Sequence, residues 1–323
     1  DRAYHYVINH FLDEEFGGVY WTVDYTGKPL DTKKQIYALA FALYGISEYV
    51  TAGYNDAALQ HAISLYHAIE EHSHDTMQGG YIEALSRDWQ PLIDLRLSDK
   101  DANEPKSMNT HLHVLEAYAS LYTVWPSPAL KENIRALIRL FIDRIVDKEG
   151  KHLVLFFDDN WQPRSGVVSY GHDIEAAWLV LEAAEVIGDS ELAEEVQKFS
   201  IQLALATMEG VDKDGGLWYE LDVNNQHLVK EKHWWPQAEA LVGFFNAWQI
   251  TNDDRFLKRS IKSWEFIKNH ILDRKGGEWA WGVKENYVVM ENEDKVGFWK
   301  CPYHNSRACI EIIKRCNSSI ATL

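Results

Sequence analysis

Glu15-Phe16-Gly17-Gly18-Val19-Tyr20-Trp21 reads as a tight turn running into a short aromatic strand. Paired glycines admit the backbone angles of such a turn, and the alternation after them suits a strand or hairpin. The pattern returns as Gly79-Gly80-Tyr81-Ile82-Glu83, as Gly215-Gly216-Leu217-Trp218-Tyr219-Glu220 and as Gly276-Gly277-Glu278-Trp279-Ala280-Trp281. A fifth loop, Leu153-Val154-Leu155-Phe156-Phe157, keeps the apolar part without the glycine pair. Recurrence on this length scale is the mark of stacked supersecondary units.

Between the loops the helical period dominates. Residues 254–272 carry Leu257, Ile261, Trp264, Ile267 and Ile271 at helical spacing, which predicts an amphipathic helix with those five on its buried stripe. Residues 172–187 place Ile174, Ala177, Trp178, Leu181 and Ala184 in the same way. Further helices are expected at about 1–12, 33–52, 56–73, 108–124, 128–147, 190–208, 234–250 and 303–316. Ser127-Pro128 gives an N-cap with proline at the first helical position, and Gly188 closes one helix before Asp189 or Ser190 caps the next. The turns inside each helix pair are short, so the paired helices run antiparallel. The unit is an αα-hairpin with a long loop. Six such hairpins close into a toroid of inner and outer helices, and ten helices are legible here. Residues 1–12 read as an outer helix whose inner partner lies upstream. The reading is therefore all-α, one domain over 1–323, N-terminally incomplete, with a first αα-hairpin expected ahead of Asp1.

The composition narrows the function. At 323 residues and 46% hydrophobic content the chain is globular. The net charge of −17 repels polyanions, so nucleic acid is not an expected partner. No run of apolar residues is long enough for a membrane span. Three cysteines, Cys301, Cys309 and Cys316, form no disulfide framework, and a cytoplasmic setting is expected. Thirteen tryptophans serve cores and sugar platforms alike.

The chemistry is expected at the openings of the inner helices. These are Tyr37, Asn109 with His113, His172 with Glu175, Trp235, and His304, spaced 63 to 72 residues apart. If the hairpins form a ring, all of these openings face one end. His172 and Glu175 stand three apart on one helix face, a pairing suited to a proton carrier or to a simple helix cap. Asn109 and His113 share a face, whereas His111 diverges from it, so His-x-His is not read as a metal pair. Cys301 and His304 lack the spacing of a zinc knuckle. Trp234-Trp235 opens a helix and suits either core packing or sugar stacking. No phosphate loop, serine elbow or metalloprotease motif is present.

At these residues the chain resembles the cellobiose 2-epimerases, within the wider N-acylglucosamine 2-epimerase superfamily. The resemblance rests on Lys106-Ser107-Met108-Asn109-Thr110-His111-Leu112-His113, Tyr170-Gly171-His172-Asp173-Ile174-Glu175, Trp234-Trp235-Pro236-Gln237-Ala238-Glu239 and Trp299-Lys300-Cys301-Pro302-Tyr303-His304-Asn305, and runs through nearly the whole chain. It implies an (α/α)6 barrel and 2-epimerisation of the reducing-end glucose of a β-1,4-linked disaccharide, with no metal or organic cofactor; separately, a monomer acting on a small-molecule sugar is expected. The resemblance places the two proton-shuttling histidines at His172 and His304 and a ring-opening histidine at His113. Sugar contacts fall on Tyr37, Asn109, Glu175, Trp235, Trp299 and Asp101. The family's arginine on the first inner helix has no counterpart here and is expected on the hairpin ahead of Asp1. Competing readings are a monosaccharide epimerase or isomerase acting on N-acetylglucosamine or mannose, a glycoside hydrolase, and a non-catalytic sugar-binding toroid. The hydrolase needs two carboxylates flanking the scissile bond, where this chain offers mostly histidines.

Overall fold

Apolar residues on every side of some helices, and on one side only of others, decide how this chain packs. The computed structural model describes the backbone of residues 1–53, 56–149 and 151–321 and the side chains up to 317. Its described α-helices are α1 (Arg2–Tyr6), α2 (Ile36–Ala52), α3 (Asp56–His72), α4 (Met108–Val124), α5 (Pro128–Leu140), α6 (Tyr170–Val186), α7 (Ser190–Thr207), α8 (Trp234–Thr251), α9 (Asp254–Phe266) and α10 (Tyr303–Ala321). Contacts gather them into two compact units. The first is Asp1–Val146, Val154–Ser165 and Glu182–Ala193; the second is Asp147–Leu153, Gly166–Leu181 and Glu194–Leu323. Among the described residues no helix is long and apolar enough to cross a membrane.

In the first unit α4 is buried all round, from Thr110 through Leu121, and packs against α2 and α5. Its neighbour α5 buries only Leu130, Ile134, Leu137 and Ile138, one stripe of a helix. The second unit repeats the contrast. Helix α8 is buried from Pro236 through Ala247, while α9 buries Phe256, Ser260, Ser263 and Phe266. That last stripe corrects the expected one. Ile267 and Ile271 are buried, but Ile261 and Trp264 are exposed, and the contact line runs one residue earlier. Small Ser260 and Ser263 let α9 approach α8 closely, and Ser260 Oγ donates to Leu241 O at 2.7 Å. Cys309 and Cys316 are half-buried.

Three of the odd-numbered helices end in a π turn, at Val7–Phe11, Phe141–Ile145 and Ile267–Ile271. The glycine-pair loops then fold back as expected, through bridges Leu12↔Val19, His74↔Tyr81, Val211↔Leu217 and Leu272↔Trp279. The two residues ahead of an even-numbered helix pair antiparallel with the next loop. Lys34–Gln35 meets Ala84–Leu85, Lys106–Ser107 meets Phe156–Phe157, and Lys232–His233 meets Gly282–Val283. The first helical N–H groups, which no helix can satisfy, donate to the same loops: Ile36 to Glu83 O at 2.9 Å and Trp234 to Trp281 O at 2.8 Å.

Four of the five loops are also clasped by a buried lysine. Lys34 Nζ reaches Asp13 at 2.8 Å, Lys106 reaches Asp75 at 2.6 Å, Lys232 reaches Asp212 at 2.7 Å and Lys300 reaches Glu278 at 3.0 Å. An aromatic ring faces each ammonium: Tyr20, Trp161, Phe266 and Trp234 respectively. The fourth residue of three even-numbered helices accepts a loop N–H as well. Tyr81 N donates to His111 Nε2, Leu153 N to Asp173 Oδ1 and Leu217 N to Gln237 Oε1, at 2.9, 2.9 and 2.7 Å. Helix starts are thus held from both sides, and the candidate site residues stand on those starts.

Candidate active site

Tyr37, Asn109, Trp235 and His304 are each the second residue of an even-numbered helix, and His172 is the third of α6. In the second unit the structure brings His172, Glu175, Trp235 and His304 together. The Trp235 ring lies 4.7 Å from the His172 ring and 5.6 Å from the His304 ring, centroid to centroid. Gly171 permits this, because a Cβ there would meet the Trp235 ring at 2.5 Å. Trp234 is the core member of the pair, 3% exposed, and Trp235 is half-buried against the histidines. His172 Nδ1 lies 2.8 Å from Ser169 Oγ.

Beneath His304 sits a charged group that sequence reading did not single out. His304 Nδ1 lies 2.7 Å from Glu239 Oε1 and 3.8 Å from Glu175 Oε1. Arg307 Nη2 donates to both carboxylates, at 2.8 Å to Glu175 and 2.7 Å to Glu239. Trp178 Nε1 donates to the other oxygen of Glu239 at 2.9 Å. The Arg307 guanidinium stacks over Trp178 and Tyr303. Burial pushes the Glu239 carboxyl up, but Arg307 and His304 beside it outweigh that and hold it well below the usual carboxylate range. Glu239 is therefore an anion whose charge is aimed at His304 Nδ1. A histidine so held has a fixed tautomer and a partner for the charge it gains on taking a proton. Glu175, Glu239 and His304 also bring three ligating atoms within 4.8 Å of one another. The cation paired with both carboxylates is Arg307. Its Nη2 stands between the two carboxylates and donates to both.

Trp299 is 43% exposed and packs edge-on against Phe298, so it is not a core residue. In the first unit His113 sits against Tyr37 and Phe41, with centroids 5.2 and 4.6 Å away, and its Nδ1 lies 3.0 Å from Glu116. Asn109 Oδ1 is buried with no hydrogen bond from the protein, a costly state that a ligand hydroxyl would relieve. Asp101 closes its own loop by accepting from the Ser98 N–H and hydroxyl, both at 2.8 Å. His111 is a different case from His113. Its Nδ1 donates to Ser107 O and its Nε2 accepts from Tyr81, and burial lowers its pKa to about 4. It is a neutral structural hook with both ring nitrogens engaged, so no metal pair forms with His113.

Residues 1–308 match the model of the N-acylglucosamine 2-epimerase (GlcNAc 2-epimerase) family. The cellobiose 2-epimerase of Bacteroides fragilis is 50% identical over 313 residues, covering 97% of this chain and 80% of that protein. The cellobiose 2-epimerase of Dictyoglomus turgidum is 41% identical over 317 residues, covering 98% and 80%. The solved cellobiose 2-epimerase from Bacillus thermoamylovorans superposes with a TM-score of 0.92 at 40% identity, covering 97% of this chain and 80% of that one. The all-α hairpin fold is of the (α/α)6-barrel class, as the repeat predicted. The chain is an enzyme of the carbohydrate epimerase class, and it belongs to the N-acylglucosamine 2-epimerase family.

Proposed function

We propose that this chain inverts C2 of the reducing-end glucose in β-1,4-linked disaccharides, converting cellobiose to glucosyl-mannose and lactose to epilactose. The observation that carries the reading is two histidines against one half-buried tryptophan, one of them backed by the Glu239–Arg307–Glu175 group. The names of the relatives at 50% and 41% identity supply the substrate class.

The chemistry follows from these groups. Opening of the sugar ring exposes an aldehyde, which makes the C2 proton acidic. One histidine takes that proton, and the C2–H electrons form the C1–C2 double bond of a cis-enediolate while negative charge moves to O1. The other histidine returns a proton to the opposite face, and C2 is inverted. The carbon ends at the oxidation level where it began, so the step calls for no redox group. The Glu239 carboxylate stabilises the imidazolium that His304 becomes. Glu175, Trp235 and Trp299 are sugar contacts in this scheme. By family likeness His113 assists ring opening, and Tyr37, Asn109 and Asp101 hold hydroxyls.

Incubation with cellobiose in heavy water tests the proposal. The expected product is a 2-epimer carrying deuterium at C2, with weaker turnover of mannose and N-acetylglucosamine. His172→Ala and His304→Ala should each lower turnover by about 10²–10⁴-fold. A product without deuterium at C2 removes the proton-transfer mechanism, and mannose turned over faster than cellobiose moves the substrate to monosaccharides.

A further inference from the structure

The five loop turns are built alike, and one differs where the difference bears on α6. In every turn an aspartate N–H closes on a carbonyl a few residues on: Asp13 to Gly18, Asp75 to Gly80, Asp147 to His152, Asp212 to Gly216 and Asp273 to Glu278. Four of the turns receive the buried lysine that precedes the next even-numbered helix. Two residues before α6 that lysine is replaced by Val168. In the same turn, the position held by Gly18, Gly80 and Gly216 is His152. Its Nδ1 lies 2.7 Å from Asp173 Oδ2, and the other oxygen of Asp173 accepts the Leu153 N–H at 2.9 Å.

We infer that His152 and Asp173 are a positioning pair, replacing the lysine clasp of the other repeats, and that they hold the first turn of α6, which carries His172 and Glu175, in a proton-dependent way. Asp173 directly follows His172, stands two residues before Glu175 in the same helical turn and is fully buried, so holding it holds that turn. A lysine clasp keeps its charge through the neutral range, whereas an imidazole does not. The charged groups facing His152 are Asp173 on α6, Glu209 in the turn after α7, 3.6 Å from Nε2, and Asp147 in its own turn. All are acidic, and the Tyr170 ring packs beside the pair. Burial pulls the His152 pKa down, but these carboxylates outweigh it and leave it raised. Burial likewise raises Asp173. Both groups hold protons more tightly in the folded protein. The clasp is therefore complete at mildly acidic pH and weakens as pH rises through the raised His152 value. The link to activity rests on the epimerase reading above; the clasp itself does not.

Native-state hydrogen exchange tests the clasp without substrate. Protection at Leu153 and the first turn of α6, corrected for intrinsic rates, should fall about tenfold between pH 6 and pH 9. His152→Gln should show the low protection at both pH values, and His152→Lys should keep it high at both. Cellobiose epimerisation then reads the consequence. The kcat ratio of native to His152→Gln should shrink as pH rises, with KM changing less, and His152→Lys should restore kcat. Equal protection in native and His152→Gln at pH 6 overturns the inference. If the Gln variant does not fold, NMR titration of the native His152 ring decides. Failure of Leu153 protection to follow that titration overturns it too. A native protein inactive on cellobiose that still shows pH-dependent protection leaves the clasp standing and sinks the functional reading instead.

Discussion

Glu239 and Arg307 carry the site's charge, and each stands inside a helix where a charged residue usually reads as surface. Glu239 follows Trp235 by four residues and Arg307 follows His304 by three, so each lies one turn below a helix-opening residue, and Glu239 reaches across to His304 on α10. The missed signal was their company. Glu239 is flanked by Ala238, Ala240, Leu241 and Val242, and a lone charge in a helix that apolar needs a buried partner. His172, Glu175, Trp235 and His304 were legible because each opens a helix directly after a loop. Glu239→Gln keeps the shape and removes the charge facing His304. We expect kcat on cellobiose to fall by about 10²-fold with little change in KM, measured by steady-state kinetics. Arg307→Met leaves two buried carboxylates without their cation and should cost about 3–5 kcal/mol in urea unfolding. Because Arg307 stands between those carboxylates and donates to both, activity should survive EDTA; loss restored by one specific divalent ion would place a metal there instead.

Helix α9 shows why a correctly read element can carry a misread face. Leu257, Ile261 and Trp264 are the more apolar residues, yet Phe256, Ser260 and Ser263 make the contact. Hydropathy ranks side chains one at a time, whereas helix packing at close range selects small ones. The same rule governs α8, where Gly243 meets α6. A Cβ there would lie 2.6 Å from the Ile174 carbonyl oxygen and 2.5 Å from its side chain. Backbone atoms cannot step aside cheaply, so Gly243→Ala should destabilise by about 1–3 kcal/mol despite its better helix propensity. A melting temperature equal to or above the native one would show that α8 and α6 have room the structure does not indicate. Helix existence and the hairpin repeat were visible in the period of 3.6 and in the glycine pairs. The strand pairing of each helix entry was not, because two-residue strands carry no periodicity.

Across the whole molecule the four lysine clasps give the fold a common response to acid. Asp13 feels burial, which raises it, and bonds from Arg87 and Lys34, which prevail and hold it well below the carboxylate range. Asp75 beside Lys106, Asp214 beside Lys232 and Glu278 beside Lys300 are likewise lowered against the effect of burial. A carboxylate depressed on folding contributes stability that is present above its unfolded value, near 4, and lost as pH falls through its folded value. Because two clasps stand in each unit and all four carboxylates are depressed, their protonation acts on both units. The melting temperature should therefore be nearly flat from about pH 7 to 5 and drop steeply below about pH 4. Lys106→Met tests the assignment. At neutral pH it strands Asp75 and should cost about 3 kcal/mol. Without its lysine Asp75 loses much of its depression, so the variant's acid slope should be shallower than the native one. An unchanged slope in Lys106→Met, and again in Lys232→Met, would mean that other carboxylates drive acid unfolding and that the clasps only fill space.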